Sequence, residues 1–147
     1  MNLTERLSDD MKQAMKGQEK FRLSTIRMVR ATIKNQEIDL KRPLDDNEVL
    51  DILSREIKQR KDSLQEFQKA GREDLAENVA AEIDIISVYL PEQLTEEEVK
   101  EIVKQTIQRT GASSKADMGK VMAALMPQVK GRADGKLVNQ LVQQFLP

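Results

Sequence analysis

The sequence predicts an all-α, multihelical protein: an antiparallel four-helix unit over residues 1–91, then a small three-helix subdomain over residues 92–147. Three observations carry that prediction. Apolar residues recur at spacings of three and four through most of the chain, the period of a helix with one buried face. Nowhere do four or more β-branched residues alternate with polar ones, so no sheet is expected. All four prolines (Pro43, Pro91, Pro127 and Pro147) stand at the edges of the apolar stripes. The composition agrees. Charged residues make up 33% and apolar residues 39%, against roughly 25% and roughly 45–50% in an average soluble domain, which favours wide solvated helix faces.

The first stripe is Leu3, Leu7, Met11 and Met15, and Gly17 separates it from the second, Ile26, Val29 and Ile33. Asp45, with Glu48 three residues on, forms a capping-box start after Pro43. The third stripe follows at near-heptad spacing: Leu50, Leu53, Ile57, Leu64 and Phe67. Gly71 then stands where a residue with positive φ turns the chain back. The fourth stripe is Leu75, Val79, Ile83, Ile86 and Leu90, ended by Pro91. Thr95 with Glu98 is a second capping box, and its acidic first turn complements the helix dipole. Val99, Ile102, Val103 and Ile107 continue to Gly111. Ser113 or Ser114 is placed to cap the next helix, which carries Met118, Val121, Met122 and Leu125 and is expected to stop before Pro127. Asp134 caps a last helix bearing Leu137, Val138, Leu141, Val142 and Phe145. A subdomain of this size is expected to have little core of its own and to dock on something.

The chain has no His and no Cys. That excludes a Ser-His-Asp triad, a Cys nucleophile, thiolate or imidazole metal sites and disulfides. Metal ligation is confined to carboxylates, and no EF-hand loop is present, so no cofactor or metal is expected. The seven methionines read as core filler, Tyr89 as a pin beside Leu90-Pro91, and Glu96–Glu98 as a helix start. The N-terminus is charged from its first residues, unlike a signal peptide. No apolar run nears the roughly 18 residues of a membrane span. A soluble cytoplasmic protein without a membrane partner is the expectation.

Net charge is near zero but unevenly spread. Residues 12–34 carry net +6 and residues 102–147 net +5, while acids gather at 45–51, 73–82 and 92–101. On the second helix Lys20, Arg27, Arg30 and Lys34 share one face, away from Ile26, Val29 and Ile33. Such a stripe can track a phosphate backbone. The bland alternative is a solvated face partly neutralised by acids such as Asp10 or Glu37. The loop Lys130-Gly131-Arg132-Ala133-Asp134-Gly135-Lys136 places three cations and two glycines before a helix, a setting that suits an anion. It is no P-loop: three residues separate its glycines and Leu137 follows the Lys. Its alternative is a polar turn capped by Asp134. Met118-Gly119-Lys120 sets another Gly beside a Lys, which pattern alone assigns to close helix packing.

Three blocks carry a family resemblance. They are Tyr89-Leu90-Pro91-Glu92-Gln93-Leu94-Thr95, Asp117-Met118-Gly119-Lys120-Val121-Met122, and the run from Pro127 through Lys130-Gly131-Arg132-Ala133-Asp134-Gly135-Lys136 to Asn139. Upstream, Ile57–Ser63, Phe67, Ala70-Gly71-Arg72 and Asp74-Leu75-Ala76 match as well. Together they resemble the GatB/YqeY family, over essentially the whole chain and in its free-standing form. The resemblance implies an all-helical fold in two subdomains and kinship with the C-terminal helical and tail regions of the B subunit of tRNA-dependent amidotransferase, regions that handle tRNA. The carbon–nitrogen ligase label of that family, with glutamine as amide donor, belongs to domains this sequence lacks. No activity is expected of this chain alone. By the resemblance, Lys120, Lys130, Arg132, Lys136 and Asn139 contact phosphates and 2′-hydroxyls of folded tRNA.

The leading expectation is thus a non-catalytic tRNA-binding module, accessory to tRNA-dependent amidation, with no DNA role. Its aromatics are Phe21, Phe67, Tyr89 and Phe145. The three Phe are read as core residues, so base stacking is not expected and shape and backbone recognition remain. Two rivals stand beside it: a protein-interaction adaptor whose cations are solubilising, and a subunit contributing to carbon–nitrogen ligase activity with an amidotransferase or other protein partner.

Overall fold

The computed structural model describes residues 1–147. It is 78% helical with seven α-helices and no strand. The all-α expectation holds. The helices are α1 (Leu3–Lys16), α2 (Lys20–Leu40), α3 (Asp46–Lys69), α4 (Glu73–Ser87), α5 (Glu96–Thr110), α6 (Met118–Val129) and α7 (Gly135–Phe145), with one 3-10 turn at Lys115–Asp117. They divide into two compact units, Met1–Leu90 and Pro91–Pro147.

Local chemistry sets the helix ends. Asn2 accepts from the Glu5 N–H and opens α1. Asp45 and Glu48 form the reciprocal capping box of α3, and Thr95 and Glu98 that of α5. Each box satisfies backbone donors that a helix start leaves open. Gly71 (φ 71°) and Gly111 (φ 70°) take the left-handed conformation that stops α3 and α5. At the α1–α2 turn the left-handed residue is Gln18 (φ 55°), not Gly17 (φ −81°).

In the N-terminal unit α3 packs along α4, and α2 touches α1, α3 and α4. The core gathers Leu7 from α1, Ile26, Val29 and Ile33 from α2, Val49, Ile52, Leu53 and Ile57 from α3, and Ile86 and Tyr89 at the end of α4. Two expected stripe members depart from it. Met15 is 45% exposed while Ala14 is fully buried. A four-residue repeat drifts about 40° per step on a 3.6-residue helix. By its fourth member the stripe has rotated off the core, and Ala14 comes into register. Phe21, expected in the core, is 43% exposed. It stands one residue into α2, at the rim of the arc that Thr25, Val29 and Ile33 turn inward. Along α3 the reverse occurs: Val49 and Ile52 are buried, whereas Leu50 and Leu64 are only partly covered.

The C-terminal unit has a core of its own, contrary to the expectation of little. Val99 and Val103 from α5, Val121, Leu125 and Val129 from α6, and Val138, Leu141 and Val142 from α7 close around Leu146. The helix α6 also runs past Pro127, where a stop was expected. Proline removes one N–H bond and crowds the preceding turn. Here it sits in the last turn, and tertiary contacts hold the residues beyond it. Gln128 Nε2 donates to Thr106 Oγ1 (3.1 Å) and to the Ala124 carbonyl (3.2 Å). Val129 is 2% exposed within the core. Ser114 caps the 3-10 turn rather than α6 itself, accepting from the Ala116 N–H.

Candidate nucleic-acid interface

The α2 cations emerge from the same helix that builds the core. At about 100° per residue, Arg30, Lys34, Arg27 and Lys20 sweep about 80° of surface beside the buried Val29 and Ile33. Fourteen residues of helix spread them over about 21 Å. Lys20, Arg27 and Lys34 are exposed and Arg30 is half-buried.

The expected neutralising acids are engaged elsewhere. Asp10 accepts the Tyr89 hydroxyl at 2.5 Å and faces Arg22 at 4.0 Å. Glu37 accepts the Leu44 N–H at 3.0 Å. None of the four stripe cations has a carboxylate within 4.0 Å, whereas Arg22, Arg42, Arg60 and Arg72 all do. The guanidiniums of Arg27 and Arg30 lie instead against thioethers. Arg30 Nη1 is 2.8 Å from Met11 Sδ, and Arg27 Nη2 is 3.5 Å from Met15 Sδ.

Two hollows open along this face. One, of about 390 Å³, is lined by Thr4, Leu7, Arg27, Arg30, Ala31, Ile33, Lys34 and Glu37. The other, of about 440 Å³, is lined by Lys20, Leu23, Ser24, Arg27, Met28 and Ala31. All four stripe residues therefore border a concavity. Spacing along α2 identified the cations. It gave no sign of Thr4, Met11 or Met15, which reach them from α1.

The tail residues are arranged differently. Lys120, Lys130, Lys136 and Asn139 are exposed and Arg132 is half-buried. Lys130, Arg132 and Lys136 share one loop and the start of α7. Lys120 lies ten residues up α6 from Lys130, about 15 Å along the axis. Asp117 sits close to Lys120. The Ser113 N–H, bonded at 2.9 Å, and the nearby Lys120 charge hold that carboxyl below its ordinary range. The Asn139 Oδ1 accepts from Gln143 Nε2 at 3.0 Å.

The loop's amides are turned largely inward. The N–H groups of Lys130, Arg132 and Ala133 donate to the carbonyls of Met126, Val129 and Val129, and that of Lys136 to Asp134 Oδ1. Gly131 (φ 73°) closes the turn. Its carbonyl accepts from Gln93 Nε2 at 2.7 Å, and the Leu94 N–H donates to the Arg132 carbonyl at 2.8 Å. Arg132 Nε donates to the Glu92 carbonyl at 3.2 Å. The loop is thus tied to the segment that leads into α5 through its backbone and Arg132, while Lys130 and Lys136 are exposed.

No group of three or more Asp or Glu residues is placed to hold a metal ion. No helix is long and apolar enough to cross a membrane.

Curated relatives resemble part of this chain. A protein of Kluyveromyces lactis named "Altered inheritance of mitochondria protein 41, mitochondrial" is 48% identical over 84 residues, covering 56% of this chain and 45% of the relative. Its namesake in Candida glabrata is 38% identical over 93 residues, 62% of this chain and 51% of that protein. The Saccharomyces cerevisiae namesake is 39% identical over 85 residues, 57% and 46% of the two chains. The chain thus spans about half the length of the curated relatives it matches. Their names correct the expectation of a cytoplasmic protein, since each is named as mitochondrial. That expectation rested on the absence of a signal peptide, which does not separate the cytoplasm from an organelle. One family model, described as Yqey-like protein, matches residues 4–146, and with nearly every residue covered the chain belongs to that family.

Proposed function

We propose that the chain is a tRNA-binding module that holds the phosphate backbone of folded RNA through the α2 cations. The Lys130–Lys136 loop serves as a second contact. One observation carries the reading: Lys20, Arg27, Arg30 and Lys34 share a face with no carboxylate within 4.0 Å, in a unit where Arg22, Arg42, Arg60 and Arg72 each pair with an acid. Cations with no carboxylate beside them are available to neutralise phosphates, and the counterions condensed on the RNA are then released, which drives binding. Kinship with the tail of an amidotransferase B subunit, taken from the motif resemblance, makes tRNA the RNA to test. Phe21, exposed beside Lys20, offers a ring face on which one unpaired base could stack.

The test is binding of total tRNA across a salt series. Two variants accompany the natural protein: Arg27→Gln/Arg30→Gln/Lys34→Gln and Lys130→Ala/Arg132→Ala/Lys136→Ala. Each lost phosphate contact lowers the slope of log affinity against log salt by about 0.7–0.9. The α2 variant should therefore flatten it by about 2–3, and the tail variant by less, because Arg132 is already engaged with Glu92. Absence of tRNA binding at low salt refutes the reading. Binding that ignores the α2 variant moves the site off this helix.

A second reading, a protein adaptor, is favoured by the exposed Met28, Ile38 and Leu40 on the same helix. It predicts a stoichiometric protein partner in a pull-down and no RNA.

A further inference from the structure

The smaller α2 hollow has the chemistry of a phosphate site. Two of its cations are arginines whose guanidiniums rest on Met11 and Met15 sulfurs. A thioether is a weak, uncharged acceptor with little to offer a guanidinium. It holds the side chain in place and leaves most of its five donors unspent. Phosphate oxygens match that planar fork in pairs, with charge-assisted bonds roughly twice as strong as neutral ones. Exchange of sulfur for oxygen therefore favours the phosphate and needs no ion pair to be broken first.

The rest of the wall agrees. Lys34 supplies a third cation and Thr4 a hydroxyl. Glu37 is the one carboxylate, and it is turned to the Leu44 N–H. Leu7 and Ile33, both buried, form an apolar back. The formal charge of the lining is then three cations against one anion, or +2. A phosphate monoester carries roughly −1.5 to −2 at neutral pH, since its second pKa is about 6. A backbone diester carries one charge and fits the balance less well. The volume, about 390 Å³, lies in the range of small-molecule sites, roughly 300–1,000 Å³.

We infer that the hollow between α1 and α2, bounded by Thr4, Leu7, Arg27, Arg30, Lys34 and Glu37, binds a phosphate monoester. In the bound state Arg27 and Arg30 leave Met15 and Met11 for its oxygens. The inference rests on α2 being a phosphate-binding face, and names a subsite within it. The monoester has two sources, the end of an RNA strand or a free mononucleotide.

The test uses the full chain with its methionine methyl groups labelled with carbon-13, followed by NMR. Adenosine 5′-monophosphate, adenosine, and one short RNA with either a 5′-phosphate or a 5′-hydroxyl are titrated in turn. Met11 and Met15 should shift saturably with the nucleotide and not with adenosine, while Met118, Met122 and Met126 stay still. Arg30→Gln should weaken the nucleotide about tenfold or more. Lys34→Gln, an exposed side chain, should weaken it as well, and an unchanged Met28 signal reports that the N-terminal unit remains folded. A preference for the 5′-phosphorylated RNA identifies a strand end as the source. Equal response to the two RNAs, with saturable nucleotide binding, identifies a free nucleotide. Equal response to nucleotide and adenosine, or no saturation in the millimolar range, overturns the inference. Salt-dependent tRNA binding with silent Met11 and Met15 overturns the subsite and keeps the RNA reading. Saturable nucleotide binding without tRNA binding does the opposite.

Discussion

Tyr89 gives the sharpest test of how the N-terminal unit is held together. It is 4% exposed. Its hydroxyl donates to Asp10 Oδ2 at 2.5 Å. The Arg6 guanidinium lies 4.8 Å from the ring centroid, and its Nη2 donates to the Val88 carbonyl at 3.1 Å. The end of α4 is thereby fastened to α1 by two hydrogen bonds, one of them to a charged acceptor, and one cation–π contact. Tyr89→Phe removes the hydrogen bond and keeps the ring. Such bonds are worth about 1.5–3 kcal/mol, and an acceptor that water can still reach brings the loss to about 1–2 kcal/mol. Asp10 is such an acceptor, with 23% of its side chain exposed. Asp10→Asn should cost about 1 kcal/mol, since a neutral acceptor remains.

The same geometry fixes a pH response. Burial, then the Asp10 hydrogen bond and charge, push the Tyr89 phenol above its ordinary range. The fold therefore favours the protonated phenol. Its contribution is complete below the ordinary phenol value of about 10 and is lost as pH rises through the folded value. The assay is clean because the chain has one Tyr and no Trp. Phenolate absorbance reads Tyr89 alone, and tyrosine emission during urea unfolding of Asp10→Asn reads the N-terminal unit alone. Helical circular dichroism follows Tyr89→Phe. A phenol that ionises near pH 10 while the helices stay intact, or a Tyr89→Phe protein as stable as the natural one, would refute the reasoning.

Two further outcomes follow from charge pairs. Arg60 bridges Glu56 (2.5 Å) on its own helix and Glu82 (2.6 Å) on α4, with 12% of its side chain exposed. Arg60→Ala leaves two carboxylates facing each other and should cost about 2–3 kcal/mol in urea unfolding, below the 3–5 kcal/mol of a fully buried pair. Replacing all three residues by apolar ones should recover most of that loss, and a single variant as stable as the natural protein would contradict it. At the start of α3, the Arg42 guanidinium and the Asp45 N–H pull the Glu48 carboxyl down from 4.5 to about 2. Its contribution is therefore full above pH 4.5 and is lost as pH falls through about 2. Glu48→Gln should flatten the acid side of the stability–pH curve in that window, and a curve of unchanged slope would show that the pair does not act.

The sequence by itself determined the helices and most of their ends. Caps depend on residues three or four apart, so Asp45 with Glu48, Thr95 with Glu98, and the left-handed glycines Gly71 and Gly111 were legible without a fold. So were the inward arc of Ile26, Val29 and Ile33 and the outward cations of α2, because a 3.6-residue period fixes both at once. Tertiary structure decided what those cations meet. The acids that spacing offers as partners are drawn away, Asp10 to Tyr89 seventy-nine residues on, Glu19 to Arg22 and Glu37 to the Leu44 amide, so the stripe keeps its charge. Packing also chose Ala14 over Met15, exposed Phe21, and carried α6 past Pro127 on contacts from Gln128 and Val129. These outcomes turn on which surfaces meet and on which partner captures a given carboxylate. Spacing along one chain records neither, since both are settled between helices and not within them.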